Sequence, residues 1–169
     1  MKNQDDIRQV LHIVANDHQF CVRLERVERI LSLVALKPVP LSPPFIVGLM
    51  TLTGKSVVVI DLAERLGLKD DRPYTIDTPI LLCANGNDRL MGLIISEIIS
   101  IDAVDTNELQ LAPTFEEPSS PFEGVINTSR GPSLLLNVDK VMPVNVMAEE
   151  TDIRFSPDVV SESMSQLQA

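Results

Sequence analysis

The sequence contains no tryptophan, and aromatic residues occupy only 4% of its 169 positions. Proteins that bind single-stranded nucleic acid stack the bases on aromatic side chains, so this scarcity argues against such a ligand. Basic residues are also few, since 14 Lys and Arg stand against 24 Asp and Glu, for a formal net charge of −10. A chain with this charge repels phosphate backbones and anionic membrane surfaces. We therefore expect neither nucleic acid nor a membrane surface among its partners.

Reactive motifs are missing as well. The seven glycines form no Gly-rich phosphate loop, and no nucleophile elbow is present. Cys21 and Cys83 each lie in an apolar, strand-like segment, which favours buried, reduced thiols over a disulfide. His12, His18 and Cys21 are close in sequence, but no second cluster with ligand spacing completes a zinc site. We predict no metal, no cofactor and no catalytic activity.

Long apolar segments are also missing. No run approaches the roughly 20 apolar residues that a membrane-spanning helix needs, and residues 1–8 are polar rather than signal-like. We therefore predict a cytoplasmic protein. The 44% hydrophobic content is sufficient for one sizeable core or for two small cores that share a boundary.

The stretch from Phe45 to Leu68 is the clearest structural signal. Two apolar runs flank Thr53-Gly54-Lys55, which predicts a tight antiparallel hairpin. The second run, Val57 to Ile60, does not alternate with polar residues, so this strand should be covered on both faces. Asp61 is a favourable helix N-cap, and Gly67 is placed to end a short helix. The predicted unit is strand, turn, buried strand and short helix.

This unit occurs twice. Residues 124–141 repeat the plan, and the spacing from Gly48 to Asp61 equals that from Gly124 to Asn137. Both segments end on a residue that favours a helix N-cap. The repeat predicts an all-β fold made of two related halves.

The remaining segments complete the predicted organisation. The domain should extend over residues 1–142, with the crossing between halves near residues 69–78 and a return near the C-terminal end. A long acidic loop is predicted from Asp102 to Pro121. Residues 143–169 form a tail with a possible short helix from about Pro157, which either docks on the body or frays.

Several of these motifs resemble the CheW-like family, the coupling proteins of bacterial chemosensory arrays. The resemblance rests on the strand, polar-Gly turn and valine-rich strand that lead into Asp61 and a helix ending Leu-Gly-Leu. Three further segments are similar to family signatures, namely Val27 to Leu31, Gly92 to Ile98 and Leu136 to Val141. The similarity covers Val10 to Met142. It implies two packed five-stranded SH3-like β-barrels with short connecting helices.

The resemblance also implies a function. It predicts a non-catalytic adaptor that couples the regulatory domain of a CheA-type histidine kinase to the cytoplasmic tip of a chemoreceptor, at a membrane-associated array. The candidate partner-binding residues are in the regions that match the family. They are Val27, Arg29, Ile30, Gly48, Leu52, Thr53, Gly54, Lys55, Ile94, Ile98 and Gly124. Core packing is the alternative interpretation of each apolar position, and turn geometry or close strand approach that of the glycines.

Three positions depart from the family pattern. Thr53 stands where the family usually has arginine, Arg29 where it has glutamate, and Ser96 where it has aspartate. These changes alter local charge and remove a forked hydrogen-bond donor, so they predict an unusual partner. The chain then serves a dedicated chemosensory or pilus-control array, or binds only one of the two partners. A small-ligand sensor with a pocket between the halves is the other alternative, although few polar groups are available to orient a ligand.

Overall fold

A computed structural model describes residues 4–68 and 72–141 of the chain. Strands dominate this part, and its three α-helices have one turn each: α1 (Leu62–Arg65), α2 (Pro113–Glu116) and α3 (Val138–Val141). The strands are β1 (Ile7–Ala15), β2 (His18–Arg23), β3 (Val27–Ser32), β4 (Ile46–Leu52), β5 (Lys55–Asp61), β6 (Pro79–Ala84), β7 (Leu90–Ile94), β8 (Glu97–Asp105), β9 (Phe122–Thr128) and β10 (Gly131–Leu136). Short 3-10 turns occupy Gln4–Asp6, Leu24–Arg26 and Thr106–Glu108.

The strands form two five-stranded sheets. The central sheet has the order β3-β6-β7-β5-β4, and the terminal sheet has the order β8-β1-β2-β10-β9. In each sheet, three antiparallel strands are joined by one parallel pair to an antiparallel hairpin. The sheets therefore share one topology, which confirms the predicted five-stranded all-β fold. The SH3-like classification stays a prediction.

The hairpins of the two sheets correspond residue by residue. In the β4–β5 hairpin Gly48 pairs with Val59, and in the β9–β10 hairpin Gly124 pairs with Leu135. Both hairpins have a register shift immediately next to this glycine. The two-residue turn of β4–β5 has positive φ at Thr53 (48°) and Gly54 (78°), as a tight hairpin turn requires. The predicted hairpin unit is thus confirmed.

The edge strands β3 and β8 also correspond. The pairing of β3 with β6 skips one residue between Val27 and Arg29, and the pairing of β8 with β1 skips one between Ile98 and Ser100. Both edge strands therefore carry a bulge at the same place. Val27 corresponds to Ile98, and Ile30 corresponds to Ile101.

The predicted crossing near residues 69–78 is not where the chain changes sheets. Residues 72–78 lead from α1 to β6 within the central sheet, whereas the chain changes sheets at residues 24–26 and 95–96. The reason is that the repeat is permuted: β1 and β2 fill the terminal sheet in the places that β6 and β7 fill in the central sheet. The domain boundary at residue 142 stays a prediction, and the predicted tail lies outside the described residues.

A shared core lies between the sheets. Leu11 and Ile13 from the terminal sheet and Leu81 and Leu93 from the central sheet are buried in it. Each sheet also has a smaller core of its own on its other face. Strand β5 contributes to two of these cores, since Val58 and Ile60 belong to the shared core, and Val57 and Val59 to that of the central sheet. The predicted coverage of this strand on both faces is confirmed.

The cysteines and the first helix cap are as the sequence predicts. Cys21 and Cys83 are buried and unpaired, and burial raises the pKa of their thiols to about 11 and about 12. Such thiols are protonated and poorly nucleophilic at neutral pH.

Asp61 caps α1, because its Oδ1 accepts a hydrogen bond from the Glu64 backbone N–H at 3.1 Å. Gly67 follows with a φ of 73°.

Each sheet is closed by an isolated residue pair. Lys37, which follows β3, exchanges two backbone hydrogen bonds of 2.8 Å with Leu49 of β4. Gln110, which follows β8, exchanges bonds of 2.8 and 3.0 Å with Val125 of β9. These pairs link the two edges of each sheet and give it a barrel-like form.

Candidate docking surface

The most exposed of the predicted partner-binding residues are on the central sheet. Ile30 on the edge strand β3 is 49% exposed, and Arg29 beside it is exposed. Val27 is half-buried and packs against the shared core. Ile30 pairs with Leu81 of the shared core, so its side chain lies on the face turned toward the other sheet. An apolar partner side chain can therefore extend the core at this edge.

The hairpin turn supplies further accessible groups. Thr53, Gly54 and Lys55 are exposed, and Leu52 is half-buried against the core of the central sheet. Arg29 and Lys55 form no ion pair with another described residue. On a molecule with net charge −10, the exposed Arg29 on β3 and the exposed Lys55 on β5 are each favourable sites for an acidic group of a partner.

Three predicted contact residues are not at the surface. Gly48, Ile94 and Gly124 are buried, Ile94 with only 4% exposure. A Cβ at Gly48 would lie 2.5 Å from the Lys37 carbonyl oxygen, and one at Gly124 would lie 2.4 Å from that of Gln110. Both glycines are needed where the closing pairs bring two backbones together. We therefore remove these three residues from the docking surface.

The terminal sheet has a corresponding edge. Ile98 is half-buried against the shared core, and Ile101 is 55% exposed. Ile101 was missed by the sequence reasoning because it precedes the predicted acidic loop. The structure extends β8 to Asp105, and the alternation of this strand with its bulge puts Ile98 and Ile101 on one face. Each sheet thus presents an apolar pair at its edge.

Ser96 has a structural contact. Its hydroxyl accepts a hydrogen bond from the Asn16 backbone N–H at 3.1 Å, and its own N–H donates to the Val14 carbonyl at 2.8 Å. It ties the crossing from β7 to β8 to the hairpin β1–β2. Ser96 therefore has a structural role in the fold whether or not a partner contacts it.

A cleft of about 310 Å³ lies beside this crossing, under the loop of residues 72–79. Its polar groups bond to the protein itself: Asp61 caps α1 and accepts a hydrogen bond from the Tyr74 hydroxyl. In the described ranges no three His, Cys, Asp or Glu side chains are placed to share a metal ion. Nor does any helix in those ranges have the length and apolar character to cross a membrane. The cleft offers little to orient a small ligand.

The two-sheet body has known relatives in sequence and in structure. A model of the CheW-like domain matches residues 9–145. Chemotaxis protein CheW of Rhizobium meliloti (strain 1021) is 26% identical over 141 residues, which cover 80% of this chain and 88% of that protein. Probable chemotaxis protein CheW of Rhizobium etli is 30% identical over 140 residues, 83% of each chain. The crystal structure of the scaffolding protein TtCheW from Thermoanaerobacter tengcongensis has a TM-score of 0.69 at 21% identity, with coverage of 82% of this chain and 89% of that one.

Proposed function

The chain belongs to the CheW-like family of non-catalytic chemotaxis adaptors, and we propose that it couples a CheA-type histidine kinase to chemoreceptors in the cytoplasm at a receptor array. The observation that carries this proposal is the exposed apolar edge of the central sheet, with Ile30 at 49% exposure and next in sequence to the exposed Arg29. An amphipathic helix or a sheet edge of a partner fits such a surface.

The physical basis for docking is the burial of Val27 and Ile30. Fully burying an isoleucine side chain is worth roughly 1.5–3 kcal/mol, and Ile30 has about half of that still to gain. Arg29 and Lys55 add long-range attraction to an acidic partner, which accelerates encounter more than it strengthens the final complex. Together, the apolar pair supplies affinity and the cations supply selectivity.

Arg29→Glu tests this surface. We expect about tenfold weaker binding to the acidic partner at low salt, with a difference that shrinks as salt rises, because the substituted group is an exposed charge. The measurement is the Kd by calorimetry at three salt concentrations, with the purified kinase regulatory domain and with receptor cytoplasmic fragments from the same cell. Arg130→Glu is the control, since it makes the same charge change at an exposed residue in the β9–β10 turn of the other sheet.

The same experiment separates the alternatives. Binding to both partners supports a general coupling role, and binding to only one supports a specialised adaptor, as Arg29 and Thr53 at family-signature positions suggest. An Arg29→Glu variant with unchanged affinity for each partner removes Arg29 from the surface. A pull-down from cell extract with this protein as bait is a separate test. Recovery of neither a CheA-type kinase nor a chemoreceptor in it contradicts the adaptor proposal itself.

A further inference from the structure

Barrel-interior positions of the terminal sheet hold a set of polar side chains, here named the polar string: His12, Cys21, Asp102 and Ser133. His12 and Cys21 are direct partners in the pairing of β1 with β2, and they are 1% and 0% exposed. The Ser133 hydroxyl lies near the Cys21 thiol, whose pKa is raised by burial to about 11. Asp102 lies at the rim, with 17% of its side chain exposed.

The central sheet shows what the same positions look like without polar groups. Pairing across the terminal sheet joins Ser100, His12, Cys21, Leu135 and Gly124, and pairing across the central sheet joins Arg29, Leu82, Gly92, Val59 and Gly48. The central-sheet counterparts of the polar string are Leu82, Gly92, Leu31 and Val57. All four are apolar, so the shared topology does not require polar side chains there.

Some atoms of the polar string are enclosed without hydrogen bonds. Within the described ranges, neither ring nitrogen of His12 nor the Ser133 hydroxyl has a hydrogen bond of normal geometry. The His12 Nε2 lies 3.5 Å from Asp102 Oδ2. Burying polar groups without partners disfavours the closed state of the sheet relative to an open, hydrated one.

One contact closes the rim. Asp102 Oδ2 on β8 accepts hydrogen bonds from the Ser129 backbone N–H at 2.7 Å and from the Ser129 hydroxyl at 2.6 Å. Ser129 belongs to the turn between β9 and β10, so these bonds join the edge strand β8 to the hairpin at the opposite edge. In the central sheet, the counterparts are Leu31 and Thr53, and leucine has no acceptor for such a bond.

We propose that Asp102 and Ser129 form a latch that holds the terminal sheet closed over the polar string. Without this latch the terminal sheet opens at its β9–β10 hairpin, whereas the central sheet stays closed at β4–β5 without such a contact. Opening hydrates His12 and Ser133, whose polar atoms make no hydrogen bond of normal geometry to a described residue when enclosed. The central sheet has no equivalent gain, because Leu82 and Val57 are apolar. The adaptor then consists of one rigid half and one half with a releasable hairpin.

Amide hydrogen exchange of the full chain tests the latch. We expect Asp102→Asn and Ser129→Ala to accelerate exchange of the β9–β10 amides by about tenfold, with no change in the β4–β5 amides. Thr53→Ala is the matched control for Ser129→Ala, because it removes a hydroxyl from the corresponding turn. We expect it to leave the exchange of both hairpins unchanged.

Two further variants should act in the opposite direction. His12→Leu and Ser133→Val copy the residues of the central sheet and remove the enclosed polar atoms, so we expect them to slow the exchange of the β9–β10 amides. An ordinary core substitution has the opposite effect, since altered packing destabilises a closed state. Urea unfolding of each variant shows whether a change in exchange is local or follows global stability.

Three outcomes contradict the proposal. They are unchanged exchange in the two latch variants, equal acceleration in both sheets, and faster exchange of the β9–β10 amides in His12→Leu and Ser133→Val. If the latch variants do not fold, the sign of the effect in His12→Leu and Ser133→Val decides alone.

Discussion

Asp102 shows how one side chain sets the properties of a whole edge. Its carboxylate accepts three hydrogen bonds, two from Ser129 and one from the Ala103 backbone N–H at 2.9 Å. The bonds from Ser129 are the main reason that its pKa falls from 3.8 to about 2. Charge-assisted bonds of this kind are stronger than bonds between neutral groups. The residue is therefore a fixed anion of the folded state.

This pKa predicts how stability depends on pH. Because the pKa is lower in the folded chain than in the unfolded chain, Asp102 stabilises the fold fully above about pH 4, and the contribution disappears as the pH falls toward about 2. We expect Asp102→Asn to be less stable than the wild type at pH 7 and the difference to vanish near pH 2. Urea unfolding of both proteins at several pH values measures this difference in stability.

Asp88→Asn is the control for this prediction. It makes the same charge change at an exposed turn position with a φ of 56°, which asparagine tolerates. A stability difference between wild type and Asp102→Asn that persists unchanged at pH 2 would contradict the assignment.

At the scale of elements, the closing pairs explain the repeated glycines. Each hairpin places a glycine opposite the backbone of a connector, Gly48 at Lys37 and Gly124 at Gln110. The connector pairs with the residue after the glycine, which brings its carbonyl oxygen to within 2.5 Å of any Cβ. Each sheet can therefore close in this way only if the residue opposite the connector is a glycine.

Gly48→Ala tests this requirement. We expect a loss of roughly 1–3 kcal/mol, because the added methyl group must displace Lys37 from its two hydrogen bonds with Leu49. Thermal and urea unfolding measure the loss. Gly86→Ala is the control, since its Cβ would meet the nearest atom at an ordinary 3.6 Å, and we expect a change within about 0.5 kcal/mol. Equal effects in the two variants would refute the explanation.

The whole molecule is a permuted repeat. The central sheet is formed by the continuous segment from β3 to β7, whereas the terminal sheet takes β8 to β10 from the end of the described residues and β1 and β2 from their start. In the central sheet α1 precedes β6 in the chain, whereas in the terminal sheet the corresponding helix α3 follows the corresponding strand β1. The packed body should therefore tolerate a different chain order.

A circular permutant tests this consequence. We expect a chain with Ala169 joined to Met1 and opened between Lys69 and Asp70 to keep the β-rich circular dichroism and a cooperative unfolding transition, with a loss of about 1–2 kcal/mol. A second permutant, opened between Thr53 and Gly54, is the control. It breaks the tight β4–β5 turn, and we expect a much larger loss of stability. A reversed order of stability would contradict the permuted repeat.

The local part of this structure could be predicted from the sequence. Thr53-Gly54 indicates a tight turn, the run from Val57 to Ile60 a buried strand, and Asp61 a helix cap, because each depends on residues that are close in the chain. The motifs around these residues were sufficient to identify the family. The expectation that nucleic acid is not a partner, from scarce aromatic residues and a net charge of −10, stays a prediction.

Only the tertiary structure decided which strands are neighbours and which side chains remain accessible. The pairing of β2 with β10 joins distant segments, and local periodicity carries no information about such a partner. For the same reason, the sequence did not show that Gly48, Ile94 and Gly124 are buried or that Ser129 bonds to Asp102. Those properties arise when separate parts of the chain come together, and they depend on long-range packing.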